Sequence, residues 1–506
     1  MLTNNALLAR LISTGSYSNV IKDEQPNETS NFIALLDKCD PEFIAKAAIY
    51  SKEEAYMKDM PAMLLAYLAG RGHLPLLISI FDRVCDNGKM IKNFVKFIRL
   101  GTFGRKSLGE RPKKLVQNWI NSKSETFLWR NSIGNNPSLV DVIKLCHVKA
   151  NTEVKDNFIK YLMGKDYNFE LLPLEVQNYE RFLKDKTLDL PKAPFEMLSS
   201  SGLTDSQWKD LALNMSWTQL KNNLNTLLRH NVFDDTTFVN KVAEKLSTKK
   251  LVKDAKVFPY QLFVAYLNMD KKIPSKIIEA LGVATEYATE NVIDFSPWKL
   301  KIFLDVSGSM HWQIYEDKFV NGKVIPAPKV TSLQAASVVA ASLLRKNSNV
   351  ELIPFSNRIS KTDIDYNKSI LEIAQDLGKI PSGGTNCSLP IKYLIDNKLE
   401  SDICVMLSDY ESNLGESKGT YKAWNEYQKV SQSMLFCIDF VPNRAVEVPN
   451  SDNVINISGF SDNIWNNMRN YLNSFKGEST WESQINSISL EKQWYIIINH
   501  NIFVVF

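Results

Sequence analysis

The chain changes its hydrophobic rhythm once, near Pro297, and that change limits the fold more than any other feature. From about Asn31 to Leu267 apolar residues recur at helical spacing, and proline opens several of the segments. Pro41 leads a run through Tyr50, Pro61 leads one through Ala69 that ends at Gly70 and Gly72, and Pro75 leads a third. Short helices punctuated in this way predict stacked helix pairs of the HEAT type, although no repeat has a fixed signature. After Pro297 short apolar runs at 300–305, 350–355, 403–407, 434–440 and 454–457 alternate with helical stretches at 332–345, 370–377 and 464–475. That alternation predicts parallel βαβ units in a doubly wound sheet. Pro354 predicts that its strand ends there. The fold class is therefore α plus α/β: residues 1–285 helical, 286–475 α/β, and 476–506 a tail of unassigned role.

Two or more domains are expected, because 506 residues exceed the ~250–300 that one core accommodates. The net charge of +4 identifies no partner, so the distribution of charge has to carry that question. Cys39, Cys85, Cys146, Cys387, Cys404 and Cys437 form no CxxC pair, and several sit inside apolar runs. Reduced core thiols fit that pattern better than zinc ligands or disulfides. The residues Met1 to Asn5 lack the layout of a secretory signal, and the apolar stretch 494–506 is short and broken by Asn499, His500 and Asn501. The expectation is a cytoplasmic protein with no membrane span.

The run 300–305 ends in Asp305-Val306-Ser307-Gly308-Ser309. Ligands bind beyond the carboxyl ends of strands in doubly wound sheets, and this turn puts one carboxylate and two hydroxyls there. Ser382-Gly383-Gly384-Thr385 and Leu407-Ser408-Asp409 offer a further hydroxyl and carboxylate at the same edge. Oxygen donors alone suit a hard cation such as Mg²⁺. A serine-rich turn without a metal is the alternative for the first piece taken by itself. In this order the three pieces resemble the metal-ion-dependent adhesion site of von Willebrand factor A domains. The resemblance implies metal ligation by Ser307, Ser309 and Thr385, with Asp305 and Asp409 acting directly or through water. No GxxxxGK[ST] phosphate loop or GxSxG elbow accompanies it, and His311 has no nucleophile to serve, so a non-enzymatic protein is expected.

From Lys89 to Lys114 the chain carries Lys89, Lys92, Lys96, Arg99, Arg105, Lys106, Arg111, Lys113 and Lys114 against the single acid Glu110. Helical spacing puts Lys92, Lys96 and Arg99 on one face, with Ile91, Phe94 and Ile98 inward. Charge without interleaved acids points to a polyanion; the alternative is a merely solvated helix face. The surrounding motifs, Gly101 to Gly109 (GTFGRKSLG), Arg111-Pro112-Lys113, Ala45 to Tyr50, Pro61 to Leu65 and Pro137 to His147, resemble the TROVE module of the Ro ribonucleoprotein family. The order, TROVE and then von Willebrand A, extends the resemblance over roughly residues 1–475.

The resemblance implies a ring of HEAT-like helical repeats closed by a Rossmann-like von Willebrand factor A domain. It implies binding of small noncoding (Y-like) RNA on a basic outer surface and of single-stranded ends of misfolded RNA, in RNA stability or quality control. It also implies a monomer working as a ribonucleoprotein, with an exoribonuclease or another protein as a partner at the metal site. The expected RNA contacts are Arg105, Lys106, Arg111, Lys113, Lys114, Arg130, Lys144 and His147. His147 also fits a core or capping histidine. The competing function is a metal-dependent protein-binding scaffold without RNA.

Overall fold

Side-chain caps and prolines begin the first helices where the sequence places them. Asp40 accepts the backbone N–H of Glu42 at 3.1 Å, and Pro41 opens the helix Pro41–Glu53. Helices Met60–Arg71 and Leu74–Val84 follow, each with proline in its first turn. Asn87 accepts from Lys89 and Met90 and starts Gly88–Leu100, which buries Met90, Ile91, Phe94, Val95 and Ile98. The computed structural model describes residues 3–14, 28–57, 59–134, 137–315, 317–320, 323–410, 419–441, 448–449, 451, 453–458, 464–465, 468–469, 471–472, 481–490, 494–498 and 501–505. Most of the 464–475 stretch read as a helix lies outside them. No helix among the described residues is long and apolar enough to cross a membrane.

By its internal contacts the chain forms two compact units, one of Met1–Ser13, Gln25–Leu203 and Ser474–Phe506, the other of Thr14–Glu24 and Thr204–Asn473. Contact density thus divides the chain within the helical stretch, whereas the change in residue pattern falls near Pro297. In the second unit the reason is visible. Glu286, on helix Ser275–Ala288, accepts the Ile370 N–H at 2.9 Å, and Gln375 bonds the Tyr266 hydroxyl at 3.0 Å. These contacts bind the late helices to the α/β layer.

The sheet contains β1 (Leu300–Asp305), β4 (Val350–Phe355), β5 (Ile403–Ser408), β6 (Met434–Asp439) and β7 (Val454–Ser458), in the order β4-β1-β5-β6-β7 and all parallel. A hairpin of β2 (Lys318–Val320) and β3 (Lys323–Ile325) follows β1, with no counterpart in the sequence reading. Helices Ser332–Lys346, Ile370–Leu377 and Leu389–Asp396 lie between the strands in sequence. Phe303, Cys404, Met406, Trp424, Tyr427 and Cys437 share one buried cluster, and all six cysteines are buried and unpaired with one another. Pro354 does not end its strand: β4 runs on to Phe355, with Pro354 in register with Leu304. β4 is an edge strand, where a missing N–H interrupts no second ladder.

The tail belongs to the first unit. Its helix Trp481–Asn486 buries Trp481 and Ile485, and Glu482 accepts from the Thr3 hydroxyl at 2.9 Å. Lys46 and Arg83 donate to the carbonyls of Asn486 and Ser489. Beyond it, β8 (Trp494–Ile498) and β9 (Asn501–Val505) form an antiparallel hairpin.

Candidate metal and nucleic-acid sites

The strand register brings the expected metal residues Asp305 and Asp409 to one edge. Asp305 pairs with Phe355 at the end of β1 and β4, and Leu304 pairs with Leu407, one residue before Ser408-Asp409. The turn after β1 folds back so that the Ser307 N–H bonds Asp305 Oδ1 at 2.8 Å. The Ser307 and Ser309 hydroxyls stand 3.3 Å apart. Gly308 N–H donates to the Gly383 carbonyl at 3.0 Å, which pins the loop carrying Thr385 against the turn. Gly383 also packs closely on the segment after β4, where a Cβ would lie 2.6 Å from Asn357 Oδ1. Asp305, Ser307, Thr385 and Asp409 are buried, and the edge opens to solvent at Gly308 and Ser309.

These donors fit a small divalent cation. Neighbouring ligands in an octahedral Mg²⁺ shell at ~2.1 Å are separated by about 3 Å. The observed serine pair is close to that spacing. Burial raises the Asp305 carboxyl to about 6; bonds from Ser307 and Ser408 oppose the rise, and the Asp409 charge adds to it. Two buried carboxylates with hydroxyl neighbours are what a cation would stabilise. Among the described residues no three His, Cys, Asp or Glu side chains converge as a metal-binding group, so the case rests on hydroxyl donors. Ser408, which the sequence reading left outside the site, proves central. It donates to Asp305 Oδ2 at 2.6 Å and accepts the N–H of Tyr410 at 3.0 Å. Its adjacency to Asp409 at a strand end was the available signal.

The basic residues fall into distinct environments. Lys92 does not join Lys96 and Arg99 in solvent, as the helical spacing predicts. It is 2% exposed, and its ammonium donates to the carbonyls of Asn131, Ile133 and Gly134 at 3.1, 3.1 and 3.2 Å. Burial lowers its pKa. Lys92 is a fastener between two segments. Arg105 is half-buried, with Nη1 3.4 Å from the Ala69 carbonyl, and its guanidinium fills the space that a Cβ on Gly109 (φ +73°) would need. Lys106, Arg111 and Lys114 are exposed and Lys113 half-buried, the last three on helix Glu110–Ser122.

Gln117 of that helix donates to the carbonyls of Cys146 and His147, at 2.8 and 3.3 Å, and Asn121 donates to Lys149 O at 2.9 Å. These bonds bring Lys144 and His147 beside the basic helix. His147 is exposed, with a left-handed φ of +50°, so it is not a core histidine. Asp141 is held below the usual carboxylate range chiefly by Ser138, with help from the charges of Lys144 and Arg99. Arg99, absent from the expected contacts, therefore lies near the same cluster. Arg130 pairs with Glu175 at 2.9 Å. Among the described residues Arg105, Lys106, Arg111, Lys113, Lys114 and Lys144 form no ion pair.

Comparison with known proteins finds matches for both the helical and the α/β part of the chain. Residues 71–277 match the family described as the TROVE domain, and residues 299–472 match the family described as the Ro60 vWA domain. The RNA-binding protein RO60 of Deinococcus radiodurans is 25% identical over 229 residues, which cover 43% of this chain and 41% of that protein. The crystal structure of the Deinococcus radiodurans RO (RSR) protein superposes with a TM-score of 0.72 at 18% identity, covering 94% of this chain and all of that one. That likeness is one of fold.

Proposed function

Because the chain belongs to the Ro family, with a TROVE domain followed by a von Willebrand factor A domain, we propose that it binds RNA and does no chemistry on it. In this reading the ligands are small noncoding, Y-like RNAs and single-stranded ends of misfolded RNA, and the role is RNA stability or quality control in the cytoplasm. One observation carries it: among the described residues Arg105, Lys106, Arg111, Lys113, Lys114 and Lys144 form no ion pair, and Gln117 ties the helix that carries three of them to the segment of Lys144 and His147. Phosphate contacts from such cations supply affinity, and base recognition is confined to unpaired nucleotides. Arg130 would contribute by exchanging Glu175 for phosphate.

The metal site serves another ligand in this proposal. Ser307, Ser309 and Thr385 would hold a Mg²⁺ ion directly, and Asp305 and Asp409 directly or through water. The ion would supply an open coordination position for an acidic side chain of a protein partner, such as an exoribonuclease. Filter binding of a structured small RNA across a salt series tests the proposal. Replacing Arg105, Lys106, Arg111 and Lys113 together by alanine should weaken binding at least tenfold and flatten its salt dependence, because fewer counterions are released. Asp305→Ala should leave RNA affinity within about twofold. Unchanged affinity in the quadruple variant would refute the RNA surface, and loss of binding in Asp305→Ala would move it.

A further inference from the structure

Among the described side chains one tryptophan is exposed, and it stands beside the metal edge. Trp312 is 65% exposed, whereas the other tryptophans so described are buried or half-buried. Its backbone is clamped on both sides. The Trp312 N–H donates to the Ser309 carbonyl at 2.9 Å, and the Trp312 carbonyl accepts the Ser332 N–H at 3.1 Å. Ser332 opens helix Ser332–Lys346, whose end is fixed by reciprocal bonds between Thr331 and Gln334. Beyond Trp312 the chain forms a two-stranded arm. Gln313 bridges Thr331, the Ile314 N–H donates to the Val330 carbonyl at 2.9 Å, and Asp317 accepts the Ala327 N–H at 2.7 Å. The hairpin of β2 and β3 completes the arm, and Tyr315 and Val324 are exposed on it. The register sets Lys329 across from Tyr315; Lys329 is exposed and forms no ion pair among the described residues.

A single exposed apolar residue needs no explanation by itself. What sets Trp312 apart is its place, three residues past Ser309 on the side of the edge that opens to solvent. Ser309–His311 is a 3₁₀ turn, which advances ~2 Å per residue, so Trp312 lies ~6 Å along it from Ser309. An extended peptide repeats its side chains on one face every ~6.6 Å. A segment with an acidic side chain at Ser309 therefore carries the side chain two positions away over the indole. We infer that the metal edge recognises two side chains on one extended segment of a protein partner. One is acidic and takes the open coordination position; the other is large and apolar, two residues away, and covers Trp312. Clamped aromatic rings make strong anchors at interfaces, and Lys329 favours an acidic segment over a basic one. The inference rests on the metal reading above and adds a second contact to it.

Selection of a phage-displayed random dodecapeptide library on the full chain, in Mg²⁺ and again in EDTA, tests the inference. The Mg²⁺ selection should yield an acidic residue with Leu, Ile, Phe or Trp two positions away, and EDTA should abolish it. On Trp312→Ala the acid should stay enriched while the apolar preference disappears. With a synthetic consensus peptide, Trp312→Ala and a glycine in place of the peptide's apolar residue should each weaken binding about tenfold. The two changes together should cost little more than either, because they remove one contact. Trp312 is exposed, so the variant should melt like the parent and show the same Mg²⁺-dependent rise. Acidic peptides with no apolar residue at a fixed distance overturn the inference and leave the metal site standing. A selection that neither EDTA nor Asp305→Ala changes removes the metal reading, and the inference with it. An empty selection also overturns the inference. So does a loss of RNA affinity in Trp312→Ala, which would assign the indole to a base.

Discussion

At the carboxyl edge of the sheet two carboxylates, Asp305 and Asp409, are buried among hydroxyls, whereas the cations of helix Glu110–Ser122 stand largely in solvent. The first site is built by backbone: strand ends in register and a glycine contact fix the donors before any ligand arrives. The second is built by charge, and Lys106, Arg111 and Lys114 are exposed with no ion pair among the described residues. A buried oxygen cage selects by size and geometry, while exposed lysines and arginines select for a polyanion of almost any sequence. The difference also decides what sequence can reveal. Motif spacing reports the first kind of site directly. Counting cations reports the second only after the buried ones have been removed.

Lys92 shows why that removal matters, and it provides the largest expected effect. Lys92→Ala would take the donor from three part-buried carbonyls, at a cost of about 1–3 kcal/mol. Lys96→Ala, one turn along and exposed, should change stability by about 0.5 kcal/mol or less. Urea unfolding of the two variants measures the contrast. Equal, small losses would return Lys92 to the solvent face that periodicity assigns it.

Ser408 sharpens the other half. Removing its hydroxyl leaves Asp305 Oδ2 without its 2.6 Å donor, which should destabilise the chain by about 1–3 kcal/mol. If the edge holds Mg²⁺, the ion should raise the melting temperature of the parent protein and EDTA should reverse the rise. Ser408→Ala should weaken the ion's binding by roughly tenfold or more, as lost outer-shell support does elsewhere. A Mg²⁺-dependent rise of the same size in Asp305→Ala would remove the metal from this edge.

Much of the fold was readable because its signals are local. The helix Ile370–Leu377 and the strand β1 have the bounds that their apolar periods predict, and proline marks the early helices at Pro41, Pro61 and Pro75. The residues of the candidate metal edge were readable for the same reason, each lying at a strand end, within four residues of one, or in a glycine loop. What escaped depends on partners far along the chain. Lys92 meets carbonyls about forty residues away, Pro354 survives because β4 is an edge, and the compact units divide at Leu203 through contacts such as Glu286 with Ile370. No window of sequence contains both members of such a pair.

The smallest effect concerns lysines that are paired but exposed, the intermediate case between Lys92 and Lys114. Glu290 accepts from both Lys249 and Lys253, at 2.7 and 2.6 Å, and these bonds lower its carboxyl to about 2 from the ordinary 4.5. A carboxyl lowered in the folded state contributes stability that is complete above its unfolded pKa and is lost as pH falls through the folded one. The contribution should therefore be constant above about pH 5 and disappear between roughly pH 4.5 and 2. All three side chains are a third or more exposed, so solvent screening keeps it small. Glu290→Gln should lower the melting temperature less than Ser408→Ala does at pH 7, and salt should shrink the difference further. At and below about pH 2 the variant and the parent should melt nearly together. A loss in Glu290→Gln as large as that in Ser408→Ala, or one that persists at pH 2, would show that exposed charge in this protein carries structural weight. The line drawn between the buried fastener and the free cations would then have to move.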